Sequence, residues 1–199
     1  MDRSLETLFN DDLIAGEKIY WSGQPDPSVI FSASDFLMIP FSLMWGGFAI
    51  FWESSVLGLT SFGHGNKAPF FMVLWGIPFV AMGLYMIFGR FFYKVWKKKR
   101  TFYAVTNLRV LIVSEGFRRQ IQAQFLNQIP IINKSVGSNG TGSLSFGSIG
   151  GFGSYYMNNG LDFFTYRMNQ SVMTFYDVPQ AEMIYQMINE LRNKALAPK

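Results

Sequence analysis

FLMIPFSLMWGGFAIFW (Phe36–Trp52) and APFFMVLWGIPFVAMGLYMIFG (Ala68–Gly89), the latter running straight into RFFYKVWKKKR (Arg90–Arg100), decide how this chain folds. The hydrocarbon core of a bilayer is about 30 Å thick and takes roughly 20 apolar residues of helix to cross. The second run is long enough and the first slightly short. Both lack charge, and both carry glycines and a proline, Pro40 and Pro78, which membrane helices tolerate better than soluble ones. The reading is a transmembrane hairpin over residues 36–93, with spans at about 36–52 and 68–89. A pair of buried core helices is the soluble alternative, which the Phe, Met and Trp content of the runs disfavours. Gly46, Gly47, Gly76, Ala81 and Gly83 give only a weak signal for close helix packing, because their spacing is not a clean small-residue motif.

Orientation follows from charge. Arg90, Lys94, Lys97, Lys98, Lys99 and Arg100 crowd the C-terminal side of the second run, against Lys67 and Glu53 in the connection. An excess of Lys and Arg marks the cytoplasmic side, so both termini are expected in the cytoplasm of a multi-pass cell-membrane protein. The net charge of +4 hides an asymmetry of −5 over residues 1–89 and +9 over residues 90–199. A basic part beside a membrane points to anionic lipid headgroups, and the six residues are the candidate membrane-surface site. For an already anchored chain their first role is to set topology and seat the domain, with lipid contact second. Nucleic acid is not expected, because no recognition motif interleaves these charges. With no cysteine, there is no disulfide, thiolate or Cys-based metal site.

Residues 1–35 read as a cytoplasmic arm without a cleavable signal, since the start is acidic and the first apolar run begins only at Phe36. Leu5, Leu8, Phe9 and Leu13 recur at helical spacing, which predicts a short amphipathic helix that packs on the soluble domain. Ile19 and Trp21 then alternate with Tyr20 and Ser22 ahead of a Gly and Pro turn, as in a short strand or an interfacial segment. Ser34 or Asp35 caps the first span.

Beyond the basic cluster the period changes to two. Phe102, Ala104 and Thr106 alternate with Tyr103 and Val105, and this run and Arg109–Gly116 flank a tight turn at Asn107 and Leu108, a β-hairpin. Further strands are expected at 119–126, 129–136, 143–146, 161–166 and 171–176. Asp177 and Gln180 have capping-box spacing, and Ala181, Ile184, Met187, Ile188 and Leu191 form one apolar stripe of a final amphipathic helix.

Two motifs carry a resemblance. Gly16–Pro25 reads GE-x-I-x-W-x-G-x-P ahead of two hydrophobic spans, and Tyr103, Thr106, Asn107 and Arg109 read Y-x-x-T-N-x-R. Together with seven strands and a closing helix, this resembles the bacterial pleckstrin-homology (PH)-like membrane proteins. The resemblance implies a membrane α+β fold: a two-helix hairpin, then a PH-like barrel or sandwich over residues 94–199 capped by the C-terminal helix. It implies a fold more firmly than an activity. The Gly- and Ser-rich stretch 135–160 departs from the pattern and is expected to hold a strand between loops.

Little in the chain suggests catalysis. GSNGTGS (Gly137–Ser143) has the glycine spacing of a phosphate loop, but Leu144 stands where the lysine would be needed, so a hairpin turn is the better reading. His64, the only histidine, has no acid beyond Glu53 nearby, and no acids of the soluble part form a spaced pair. Arg118 and Arg119, at a strand edge, are the candidate ligand surface. The expectation is a non-enzymatic binding or scaffolding module at the cytoplasmic membrane surface, without cofactor or metal. Its expected partners are membrane lipids and a protein partner or second copy of itself. A small accessory subunit of a transporter or channel is the alternative; against it, neither apolar run holds an ionisable residue.

Overall fold

The structure, a computed structural model, describes residues 8–32, 35–59, 69–116, 118–148, 158, 160–161 and 172–196. It is α+β and divides into two units, one of residues 31–94 and 155–163, the other of residues 1–30, 95–154 and 164–199.

The first unit is built on two apolar helices. Helix α1 is Asp35–Val56 and α2 is Phe70–Leu84, continued by a π-helical turn at Tyr85–Gly89 and then by α3, Arg90–Lys98. Asp35–Val56 and Phe70–Lys98 are each long and apolar enough to cross a membrane. At 1.5 Å per residue, the 22 residues of α1 extend about 33 Å. Phe36, Met44, Phe48, Phe70, Trp75 and Phe88 all stand exposed among the described residues. The helices cross at Gly46 and Gly83. A Cβ on Gly83 would lie 2.8 Å from the Gly46 Cα, so the two backbones touch. Of the small residues weighed in the sequence, Gly46, Gly76 and Gly83 are buried, while Gly47 faces open space. The helices also outrun the apolar stretches. Asp35 and Glu53 fall within α1, and Arg90 and Lys94 continue the second helix, so the helices are not free of ionisable residues as the runs are. His64 and Lys67 lie outside the described residues.

The second unit holds two antiparallel sheets and a helix. Strands β1 (Ile19–Gly23), β2 (Thr101–Thr106), β3 (Arg109–Glu115) and β4 (Arg119–Phe125) form one sheet in that order. Strands β5 (Ile132–Val136), β6 (Gly142–Phe146) and β7 (Thr174–Val178) form the other, and helix α4 (Ala181–Leu196) follows. The two sheets are not joined into a closed barrel among the described residues, contrary to the barrel expectation. After β4 the chain makes a 3₁₀ turn at Leu126–Gln128 and passes Pro130, which has no N–H to carry a ladder onward, so β5 begins only at Ile132. The expected strand at 161–166 lies, apart from Leu161, outside the described residues.

Alternation along β2 and β3 sends side chains to two cores. Tyr103, Val105 and Val110 join Leu144, Phe146, Phe175, Ile184, Ile188 and Leu191 between the sheets and α4. The Tyr103 ring stacks on Phe175 at 4.4 Å, and its hydroxyl accepts the Tyr176 N–H at 3.0 Å. On the other face, Ala104, Leu111 and Val113 are covered by Phe9, which is fully buried, with Leu8 and Leu13 packed beside it. This double burial explains why almost all of β2 is buried. The expected amphipathic helix is replaced, in its described part, by a 3₁₀ turn at Asn10–Asp12. Side chains take the backbone groups a longer helix would use: Glu17 accepts the Ile14 N–H at 2.8 Å, and Arg109 donates to the Asp12 carbonyl at 2.5 Å.

Candidate functional site

The basic cluster is sorted by the helix. Arg90, Lys94 and Lys98 stand four residues apart on one face of α3, and all three are buried. In the helical unit, Arg90 Nη1 donates to Asp35 Oδ1 at 2.6 Å and Lys94 Nζ to Asp35 Oδ2 at 3.2 Å. The Ser32 N–H and hydroxyl reach the same Oδ2 at 2.7 and 2.9 Å. In the other unit, Lys98 Nζ meets Asp177 Oδ2 at 2.6 Å and donates to the carbonyls of Asp26 at 3.1 Å and Val29 at 2.5 Å. The π-helical turn sets this phase, because one added residue turns the following side chains by about 100°. Lys97, Lys99 and Arg100 are exposed, with the Arg100 guanidinium 4.5 Å from the Trp96 ring centre. Half of the candidate lipid-contact residues therefore face acids rather than the surface. Charge counting could not separate the two halves, because Asp35 is 55 residues from Arg90 and both Asp35 and Asp177 read as helix caps.

A second cluster joins the two resemblance motifs. Glu17, whose side chain is fully buried, takes Arg109 Nε at 3.0 Å on Oε1 and Arg109 Nη2 at 3.0 Å on Oε2. The Thr106 hydroxyl donates to Glu17 Oε1 at 2.7 Å, and Asn107 Oδ1 accepts the Lys18 N–H at 2.8 Å. Every polar residue of Y-x-x-T-N-x-R thus has a structural partner, on the arm or on β7. Arg119, named as a ligand residue, donates to Asp12 Oδ2 at 2.5 Å and to the Leu8 carbonyl at 2.8 Å, so the arm itself occupies it. Arg118 is exposed.

Burial alone would raise the Glu17 pKa, but the Arg109 guanidinium, the Ile14 N–H and the Thr106 hydroxyl outweigh it and hold the carboxyl below its ordinary value. A depressed pKa gives stability that is fully present above the unfolded-state value and is lost as pH falls through the folded one. Thermal unfolding of the full chain is therefore expected to weaken below about pH 4.5, and Glu17→Gln to flatten that acid limb. An acid limb identical in the variant would show that Glu17 is not a source of it.

Other features are plainer. GSNGTGS is a tight β5–β6 turn: Gly137 N–H donates to the Thr141 carbonyl at 2.9 Å, and Gly140 takes a φ of +77°. An open groove of about 430 Å³ lies along Gln122, Ala123 and Gln124 of β4 and beside Phe146, Val172 and Met173; among the described residues no ionisable side chain lines it. Among the described residues no group of His, Cys, Asp or Glu could hold a metal. No family model, curated protein or solved structure matches the chain.

Proposed function

We propose that this chain is a membrane-anchored PH-like binding or scaffolding module without catalytic activity, held by its helical hairpin at the cytoplasmic face of the membrane. The observation that carries the reading is the pairing of β1 with β2. Ser22 lies opposite Ala104 and Gly23 opposite Tyr103, although the whole hairpin intervenes in sequence. A chain that leaves a sheet before two membrane-length helices and returns to the same sheet after them has both ends on one side of any membrane it crosses. The positive charge beyond the second span makes that side the cytoplasm. Four strands, then three, then a helix across the core support the PH-like assignment. The arm clasped by Glu17, Arg109 and Arg119 supports a module that binds its own N-terminal segment as part of its fold.

Reporter fusions at Lys199 and within Gly63–Asn66 test this. A cytoplasmic signal from the first and an external signal from the second are expected. An external signal at Lys199 would contradict the proposal.

A further inference from the structure

Strand β4 has β3 on one side and, among the described residues, no strand on the other. Which of its backbone groups that leaves over follows from two bonds at the ends of the ladders. The Leu126 N–H donates to the Leu108 carbonyl at 2.9 Å, and the Glu115 N–H to the Arg100 carbonyl at 2.7 Å. Hydrogen-bonded pairs alternate along an antiparallel ladder, so Gln120, Gln122 and Gln124 turn their N–H and C=O groups to β3. Those of Arg119, Ile121, Ala123 and Phe125 point away from it, and among the described residues none of them meets a backbone partner. Proteins commonly blunt such an edge with charge, proline or a bulge. β4 keeps an unbroken register of seven pairs with β3, and from Gln120 to Phe125 it carries no charged residue and no proline. Past Arg119, which the arm holds, both flanks of the edge are uncharged. On the face of Gln122 and Gln124 lies the groove beside Phe146, Val172 and Met173, and on the other face Ile121 and Phe125 are exposed.

We infer that this edge is the docking site for an extended, uncharged peptide segment of a partner protein, which pairs with β4 as a further strand of the sheet and lays alternate apolar side chains over the groove. An extended backbone supplies donors and acceptors at the spacing of these four residues. The groove, with no ionisable side chain among its described residues, gives a charged side chain nothing to pair with. A second copy of this chain fits less well. A two-fold axis through a β4–β4 pair keeps like faces together, so the copy would bring its own Gln120, Gln122 and Gln124 to the groove and set amides against Phe146 and Met173. The inference deepens, and rests on, the reading of the chain as a binding module; it uses neither the insertion nor the orientation of the hairpin.

The test uses the full chain in mild detergent and, as probe, a fluorescein-labelled heptapeptide of alternating threonine and valine with both ends capped, read by fluorescence anisotropy. Saturable binding is expected. With the valines over the groove, the threonine N–H groups are the ones that face β4. Methylating those nitrogens is expected to weaken binding at least about tenfold, while methylating the valine nitrogens leaves it unchanged. Equal effects of the two methylations would overturn the inference, as would a probe that does not bind at millimolar concentration; neither result depends on how a variant folds. Ala123→Pro removes an outward N–H and no bond of the β3–β4 ladder, so it is expected to keep the wild-type melting temperature and to lose binding by the same factor. Wild-type affinity in a folded Ala123→Pro would also overturn the inference. Light scattering identifies the other occupant: a dimer that Ala123→Pro dissociates would make a second copy the added strand and overturn the partner assignment. Reporter fusions that contradict the topology leave peptide binding standing, whereas a silent probe beside fusions that read as expected contradicts this inference alone.

Discussion

Ile188→Asp is expected to unfold the two-sheet unit. Ile188 is fully buried in α4 among Tyr103, Val105 and Val110 of one sheet and Leu144, Phe146 and Phe175 of the other. Its transfer from water is worth about 1.5–3 kcal/mol, and burying an unpaired carboxylate in its place costs several kcal/mol more. The sum reaches the low end of the roughly 5–15 kcal/mol by which a domain is stable. Limited proteolysis of the detergent-solubilised full chain should show the sheet unit digested under conditions that leave wild type intact. Ile188→Val, which removes one methyl group, should cost only about 0.5–1.5 kcal/mol. A protease-resistant Ile188→Asp would mean that α4 does not cover this core.

Arg109→Ala is the second large effect. It removes three contacts to the Glu17 carboxylate and one to the Asp12 carbonyl, and leaves a fully buried acid without its cation. Breaking a buried pair from one side costs about 3–5 kcal/mol. Glu17→Ala added to Arg109→Ala should recover part of that loss, because the orphaned charge goes with it, and the departure from additivity measures the coupling. Strictly additive losses, read by chemical unfolding of the four proteins, would show that the two side chains act independently.

The hairpin was legible because length and apolarity are local properties, and Phe36–Trp52 and Ala68–Gly89 state both outright. The β2–β3 hairpin, the β6 strand and the stripe of α4 were legible for the same reason, each being a short-range pattern that the structure keeps. What escaped were partnerships across long stretches of sequence. Ile19–Gly23 reads as a strand or an interfacial segment with equal ease, and only its ladder with β2 decides between them. Asp35 and Asp177 look like caps when judged by their neighbours, and their partners Arg90, Lys94 and Lys98 look like surface charge when judged by theirs. A fragment of residues 94–199 would lack β1, Phe9 and Glu17, which pair with or pack on the sheet it holds. The resemblance and the number of strands left a barrel and a sandwich open together, because strand count carries no information about where a ladder stops.

The claim on which the rest depends is that β1 and β2 pair across the hairpin. The chain has no cysteine, so a pair introduced by Ser22→Cys and Ala104→Cys is unambiguous. These positions face each other in the ladder, within the Cα separation a disulfide needs when strands pair directly. With a protease site inserted in the connection between the spans, the full chain is oxidised in its native membranes, cleaved and run without reductant. The account predicts that the two fragments stay joined and separate only on reduction; fragments that separate without reductant, from a chain otherwise stably inserted, would contradict it.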